Sequence, residues 1–292
     1  MKISRRDFLK WTVAASVALK LNLDFGKINT LLAADTDPPV IWLQGAGCTG
    51  CTVSLLNVTN PTTIDDVLIN KISMKSNSTI MAFSGNQAMQ ALSQAATQYQ
   101  GQFILVVEGA IPTGSIANWC IVGDENGVEL TMRDAVLRYA PMARFVVAAG
   151  TCASFGGVPA AGPSGASFSS VKSLVGTQTV NPVVNLSGCP VHPTVLVQTL
   201  LDLLLSGVPR LDSNNRPASY YGSSIHQQCP RRGTGQAQPG QVGCYKNIGC
   251  KGPNTSYICP TLKWNNTNFC TNANYPCHGC TEPTFPTNPL TS

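Results

Sequence analysis

Charge is scarce in this chain. Only 11% of its 292 residues are Asp, Glu, Lys or Arg, against 43% hydrophobic residues. A folded surface with so few charges leaves much area for a partner to cover. Basic runs are missing too: the net charge of +5 is spread thinly, and the only adjacent pairs are Arg5-Arg6 and Arg231-Arg232. Such pairs are too short to follow a phosphate backbone, so no nucleic-acid partner is indicated. Long apolar runs are also lacking. The stretch from Trp11 to Leu23 is interrupted by Lys20, falls short of the roughly 20 residues of a membrane span, and has no counterpart near the C-terminus. The mature chain is therefore expected to have no span of its own and to be held at a membrane, if at all, through a partner. There are no internal repeats and no purely low-complexity segment, although 232–243 is a Gly/Gln-rich loop.

What the chain does have is cysteine. It holds 12, seven of them after residue 228, far more than core packing requires. In an exported protein an even count normally reads as a disulfide framework. The N-terminus argues otherwise. Ser4-Arg5-Arg6-Asp7-Phe8-Leu9-Lys10, the apolar run, and Ala33-Ala34 before Asp35 form a twin-arginine signal over residues 1–34. That route exports proteins already folded, so the thiols can acquire metal in the reducing cytosol before the protein reaches the periplasm.

Short apolar runs at 39–44, 103–108, 145–149 and 183–186, each bounded by turn residues, suit buried parallel strands. Helix-like stretches at 86–99, 130–139 and 194–205 lie between or after them. The alternation predicts a doubly wound α/β domain over 35–206. From 207 to 292 the composition shifts to Gly, Pro, Asn, Gln and Cys with almost no periodicity. Such a segment needs staples, and bound metal can supply folding free energy directly.

After the first strand comes Gly45-Ala46-Gly47-Cys48-Thr49-Gly50-Cys51, whose first six residues match the dinucleotide fingerprint G-x-G-x-x-G. Two cysteines in the phosphate loop, and no clean acidic residue ending a second strand about 20 residues on, count against a nucleotide. The Cys-x-x-Cys would also fit a thioredoxin-like pair, were it alone. However, Cys152 and Cys189 follow later strands, and loops after parallel strands converge at the carboxyl edge of the sheet. Four thiolates at one edge suit zinc or a four-iron cluster equally. The tail adds His226-x-x-Cys229, Cys244, Cys250, Cys259, Cys270, Cys277 and Cys280, enough for two more four-ligand sets. Three sets in one chain make sense as an electron relay, whereas three structural zincs supporting one α/β domain would be unusual.

The segments W-L-Q-G-A-G-C-T-G-C-T-V-S-L-L-N (42–57), V-E-G-A-I-P-T-G (107–114), G-T-C-A-S-F-G-G-V-P-A-A (150–161), S-G-C-P-V-H-P (187–193), I-H-Q-Q-C-P-R (225–231), G-C-K-G-P (249–253), W-N-N (264–266) and P-C-H-G-C (276–280) together resemble the small subunits of nickel-iron hydrogenases. The resemblance implies a flavodoxin-like domain holding a proximal [4Fe-4S] cluster on Cys48, Cys51, Cys152 and Cys189. It implies a distal [4Fe-4S] cluster on His226, Cys229, Cys244 and Cys250. It further implies a medial cluster on Cys259, Cys277 and Cys280, with Cys270 as candidate fourth ligand. Cys270 makes the medial cluster [4Fe-4S], as in the subgroup that includes nickel-iron-selenium enzymes, with [3Fe-4S] as the alternative. The catalytic nickel-iron centre would belong to a separate large subunit, and electrons from hydrogen oxidation would leave for an acceptor such as a cytochrome or iron-sulfur subunit. Oxygen-tolerant members carry extra cysteines at places matching Gly50 and Gly157, so a proximal cluster with one redox couple is implied here. Cys120 is left over as a buried or covered free thiol. His192 and His278 beside ligand cysteines read as packing or hydrogen-bonding groups. Glu108 reads as a strand-end carboxylate near the proximal set.

Overall fold

The computed structural model describes residues 38–60, 62–162, 167–264 and 266–286. The signal segment 1–34 lies outside them. In chain order the strands are β1 (Pro39–Gln44), β2 (Ser73–Asn77), β3 (Ile104–Glu108), β4 (Ile111–Pro112), β5 (Ile121–Glu125), β6 (Val128–Thr131), β7 (Phe145–Ala149), β8 (Phe168–Ser169) and β9 (Val184–Leu186). The helices are α1 (Gly50–Leu56), α2 (Ile64–Asn70), α3 (Gly85–Gln98), α4 (Met132–Tyr139), α5 (Gly150–Phe155), α6 (Gly157–Ala160), α7 (Val171–Val175), α8 (Pro193–Ser206), α9 (Ala218–Tyr221), α10 (Ile225–Gln228) and α11 (Cys259–Leu262).

Five strands form one parallel sheet in the order β2-β1-β3-β7-β9. Counted within that sheet, the order is 2-1-3-4-5, the flavodoxin-like arrangement, with its switch point between β1 and β3. The apolar strands alternate in the direction their side chains face. Val40, Trp42, Ile104, Val106 and Val147 enter one core with α8, while Ile41, Leu43, Leu105, Val107 and Val146 enter another with α3 and α4. Both faces are therefore covered, which is why these strands read as continuous apolar runs rather than as alternating ones.

Two features depart from the sequence reading. The edge strand β2 is Ser-Met-Lys-Ser-Asn, too polar to register as a buried strand. The helix expected from 130 begins at Met132, because Val128–Thr131 pairs antiparallel with Ile121–Glu125. The hairpin turns on Asn126 and Gly127, both with positive φ, and Thr131 caps α4 by accepting the Asp134 amide at 3.1 Å.

The tail folds with short helices and 3-10 turns, yet it shares the core of the α/β region. Tyr220, Tyr221, Ile225, Tyr257 and Cys277 belong to the same buried cluster as β1, β3, β7 and β9. Arg216 ties its two ends together, donating to Asp212 at 2.8 Å, Glu282 at 3.1 Å and the Thr281 carbonyl at 3.0 Å. Among the described residues no helix is long and apolar enough to cross a membrane.

Candidate metal centres

The loop after β1 is fixed by the loop after β3. Gly45 donates to the Glu108 carbonyl at 2.7 Å, and Ala46 and Ala110 exchange amide bonds at 2.9 and 2.8 Å. A Cβ on Gly45 would stand 2.7 Å from the Ala110 oxygen, so a first glycine is demanded by contact between two loops. The start of α1, where a dinucleotide pyrophosphate would sit, is taken by the Glu108 carboxylate. That group accepts the amides of Cys51 at 2.8 Å and Thr52 at 3.1 Å, the Thr52 hydroxyl at 2.6 Å and the Trp42 indole N–H at 3.1 Å. The G-x-G-x-x-G match thus has a packing explanation, and its helix amides are already engaged.

Cys48, Cys51, Cys152 and Cys189 come together at the carboxyl edge. Burial lifts the Cys51 thiol well above its ordinary range, with Glu108, Cys152 and Cys48 adding to the rise. Burial lifts Cys152 to about 11, against a Val158 backbone contact, and Cys189 and Cys48 push it further. Burial and then Cys48 raise Cys189. A Cβ on Gly150 would stand 2.4 Å from the Cys51 sulfur, and one on Gly50 3.0 Å from the Cys48 sulfur. One on Gly157 would lie 2.9 Å from the Cys152 sulfur, so both positions matched to extra cysteines do border this set.

A second thiol set adjoins the first. Burial raises Cys259 well above its ordinary range, followed by Cys280, Cys277 and Cys270. Burial carries Cys280 up to about 12; the Cys189 backbone lowers it, and Cys270 and the Cys189 thiol raise it. Cys277 is pushed up by burial, then by Cys270, Cys280 and Cys250 against a Gly279 backbone contact. Cys270 is thus within electrostatic reach of Cys259, Cys277 and Cys280, and also of Cys250. Thr151 bridges the two sets: its hydroxyl donates to the Cys280 carbonyl and accepts the Gly188 amide at 2.8 Å.

Of the third candidate set, His226, Cys229, Cys244 and Cys250, only His226 and Cys244 line a common cleft, which is open and about 320 Å³ in volume. Burial lowers the His226 imidazole below its usual range, and Lys246 and Arg232 lower it further. Cys229 is 3.5 Å from the Thr271 hydroxyl, next to Cys270. Cys250 accepts the Cys277 amide at 3.2 Å. Gly252 lies where these groups meet: a Cβ there would be in van der Waals contact with the Cys250 sulfur at 3.4 Å, Cys277 Cβ at 3.6 Å and the His226 amide nitrogen at 3.7 Å.

Several features fit iron-sulfur clusters. All 12 cysteines are free thiols, which leaves a disulfide framework without support. Buried thiols with raised pKa ionise only when a cation compensates them. Sets of four cysteines, and one of three cysteines with a histidine, are ligand types that iron-sulfur clusters take. The buried hydroxyl of Ser187, two residues before Cys189, has no hydrogen-bond partner among the described residues.

Cys120 stands apart. Its sulfur is 4.0 Å from the Gln44 carbonyl, it packs against the core on the α3 face, and only burial raises its pKa. His192 accepts the Thr194 amide at 3.2 Å and caps α8; burial depresses it to about 4. His278 stacks on Tyr275 at 5.3 Å. Thr151, Thr52 and the Tyr221–Tyr257 ring pair at 4.9 Å carried no signal in the sequence beyond adjacency to motif cysteines.

Two family models match the chain: NADH ubiquinone oxidoreductase, 20 Kd subunit, over residues 48–203, and the C-terminal region of the NiFe/NiFeSe hydrogenase small subunit, over 221–291. The periplasmic [NiFeSe] hydrogenase small subunit of Desulfomicrobium baculatum is 36% identical across 98% of this chain and 97% of that protein. The periplasmic [NiFe] hydrogenase small subunit 1 of Nitratidesulfovibrio vulgaris is 37% identical over 97% of this chain and 90% of that one. The solved recombinant [NiFeSe] hydrogenase from Desulfovibrio vulgaris Hildenborough superposes with a TM-score of 0.82 at 39% identity, covering 89% of this chain and 99% of that chain. With matches of this length and identity, the chain belongs to the family of nickel-iron hydrogenase small subunits.

Proposed function

We propose that the chain relays electrons from hydrogen oxidation at the nickel-iron site of a large subunit, through three iron-sulfur clusters, to an external acceptor. The observation that supports this reading is the contact between the three candidate sets: Thr151 bridges the first to the second at the Cys280 carbonyl, and Cys250 joins the third to the second at the Cys277 amide. When bound, such clusters supply one-electron redox chemistry.

In this reading Cys48, Cys51, Cys152 and Cys189 hold the proximal [4Fe-4S] cluster within the flavodoxin-like region 35–206. Cys259, Cys270, Cys277 and Cys280 hold the medial one, and His226, Cys229, Cys244 and Cys250 the distal one, within 207–292. Glu108 and the backbone amides it engages fix the Cys48–Cys51 loop. Tyr221, fully packed and donating to the Ser187 carbonyl at 2.6 Å, and Tyr257 exclude water between the first two groups. Val53, Leu56 and Val158, exposed beside the proximal thiols, together with exposed Cys48 and Cys189, suit a face covered by the large subunit. The signal at 1–34 would send the folded protein to the periplasm, in keeping with the names of its relatives.

The test is anaerobic co-purification with the large subunit, followed by hydrogen-dependent dye reduction. A complex that reduces dye, and loses that activity when Cys152 is replaced by Ala with the large subunit still bound, is the expected result. If, after that replacement, an acceptor that reaches only the small subunit were still fully reduced, the relay would be contradicted.

A further inference from the structure

The tail is one-sided in charge. Residues 221–292 contain five cations, Arg231, Arg232, Lys246, Lys251 and Lys263, and a single acid, Glu282. That acid is turned inward, accepting Arg216 at 3.1 Å and the Ser256 amide at 2.7 Å. Arg232 and Lys246 are exposed, line the cleft of about 320 Å³ shared by His226 and Cys244, and form no ion pair among the described residues. Arg231, next in the chain, is anchored to Asn274 at 2.8 Å, which holds the arginine pair in place. The remainder of the rim is neutral.

Fixed cations around a concave opening focus a positive field there and raise the encounter rate of acidic partners. Charges at a rim govern on-rate and partner choice more than final affinity, and like charges reject the wrong partner. In the relay proposed above, this cleft is where electrons leave. We propose that the His226–Cys244 cleft, flanked by Arg232 and Lys246, is the docking site of a soluble electron-carrier protein that presents an acidic face. The inference rests on the relay reading for its redox role. An anionic lipid surface would satisfy the same charges, but it is flat and accepts no electrons, whereas a protein protrusion can enter a concave site.

The experiment uses the purified heterodimer and a pair of c-type cytochromes of matched potential, one acidic and one basic. Hydrogen-driven reduction of each is followed at low salt and at about 0.2 M salt, normalised to reduction of a viologen dye, and binding of the acidic cytochrome is measured by calorimetry. The acidic cytochrome is expected to react about tenfold faster at low salt, with the advantage shrinking as the screening length falls below about 10 Å. The double variant Arg232→Glu, Lys246→Glu should remove that advantage and the calorimetric binding together. Equal or faster reduction of the basic cytochrome, or an unchanged double variant, would overturn the proposal. So would co-sedimentation with phosphatidylglycerol vesicles that depends on Arg232 and Lys246 without any preference between cytochromes. Failure of the wild-type heterodimer to reduce the dye would count against the relay reading instead, and calorimetry would still decide the docking.

Discussion

The Glu108 carboxylate accepts the Cys51 amide at 2.8 Å, joining the end of β3 to the loop that carries the first two candidate ligands. One carboxylate with four donors is thereby both a structural clamp and a fixed negative charge beside the proximal thiols. Glu108→Gln keeps one acceptor but turns an N–H₂ group toward donors, leaving Thr52 or Trp42 unpaired at a cost of about 2 kcal/mol. Removing the charge should also raise the proximal reduction potential by tens of millivolts. Redox titration followed by electron paramagnetic resonance checks this; a potential that stays fixed while stability drops would show the clamp acting without the charge.

Gly150 is the tightest point of the proximal site. Its φ is +84°, and a Cβ there would lie 2.4 Å from the Cys51 sulfur. Gly150→Ala should therefore displace the thiol and lower acid-labile sulfide by about four per chain. Gly176→Ala is the control, since Gly176 also has positive φ (+54°) but nothing within 4 Å. It should cost about 1 kcal/mol and leave sulfide unchanged. Equal sulfide in the two variants would separate Gly150 from cluster retention.

Cys270 decides the medial cluster. If Cys270 is the fourth ligand beside Cys259, Cys277 and Cys280, as proposed above, the oxidised protein should lack a stoichiometric three-iron signal in electron paramagnetic resonance. Cys270→Pro should create one. A three-iron signal of about one spin per molecule in undamaged wild-type protein would remove Cys270 from the set.

Asp202, buried on α8, is raised to about 6 by burial, against the opposing hydrogen bond from Gln198, which is 3.1 Å long. The native state thus holds this proton more tightly than the unfolded chain, whose value is near 3.8. Its contribution favours folding most below about pH 4 and is lost as pH rises through about 6. Above that, burying the charge costs about 3 kcal/mol. Asp202→Asn should raise the calorimetric Tm at about pH 7.5 and leave it nearly unchanged at about pH 4. The same gain at both values would show that Asp202 does not titrate in this window.

The strands that form the centre of the sheet were legible because burial on both faces forces unbroken apolar runs. β2 was not, since an edge strand needs little burial and Ser-Met-Lys-Ser-Asn offers no pattern. The β5–β6 hairpin was legible in principle: Asn126-Gly127 is a strong two-residue turn signal, masked by the helix-like run that follows it. The candidate ligand sets come from cysteine spacing and family resemblance together. The bridges between them were not legible, because Thr151 and the Cys280 carbonyl are 129 residues apart and only the fold brings them together. Nor did the tail's composition reveal that Tyr221 and Tyr257 enter the core of the sheet.

Acid-labile sulfide, counted in the anaerobically purified heterodimer, tests the central claim most directly, because the nickel-iron site contributes none while each proposed cluster contributes about four. Three clusters require about twelve sulfides per heterodimer, whether the medial one holds three irons or four. A count near eight or below, in heterodimer that is fully active with hydrogen, would contradict a relay of three clusters on eleven cysteines and His226.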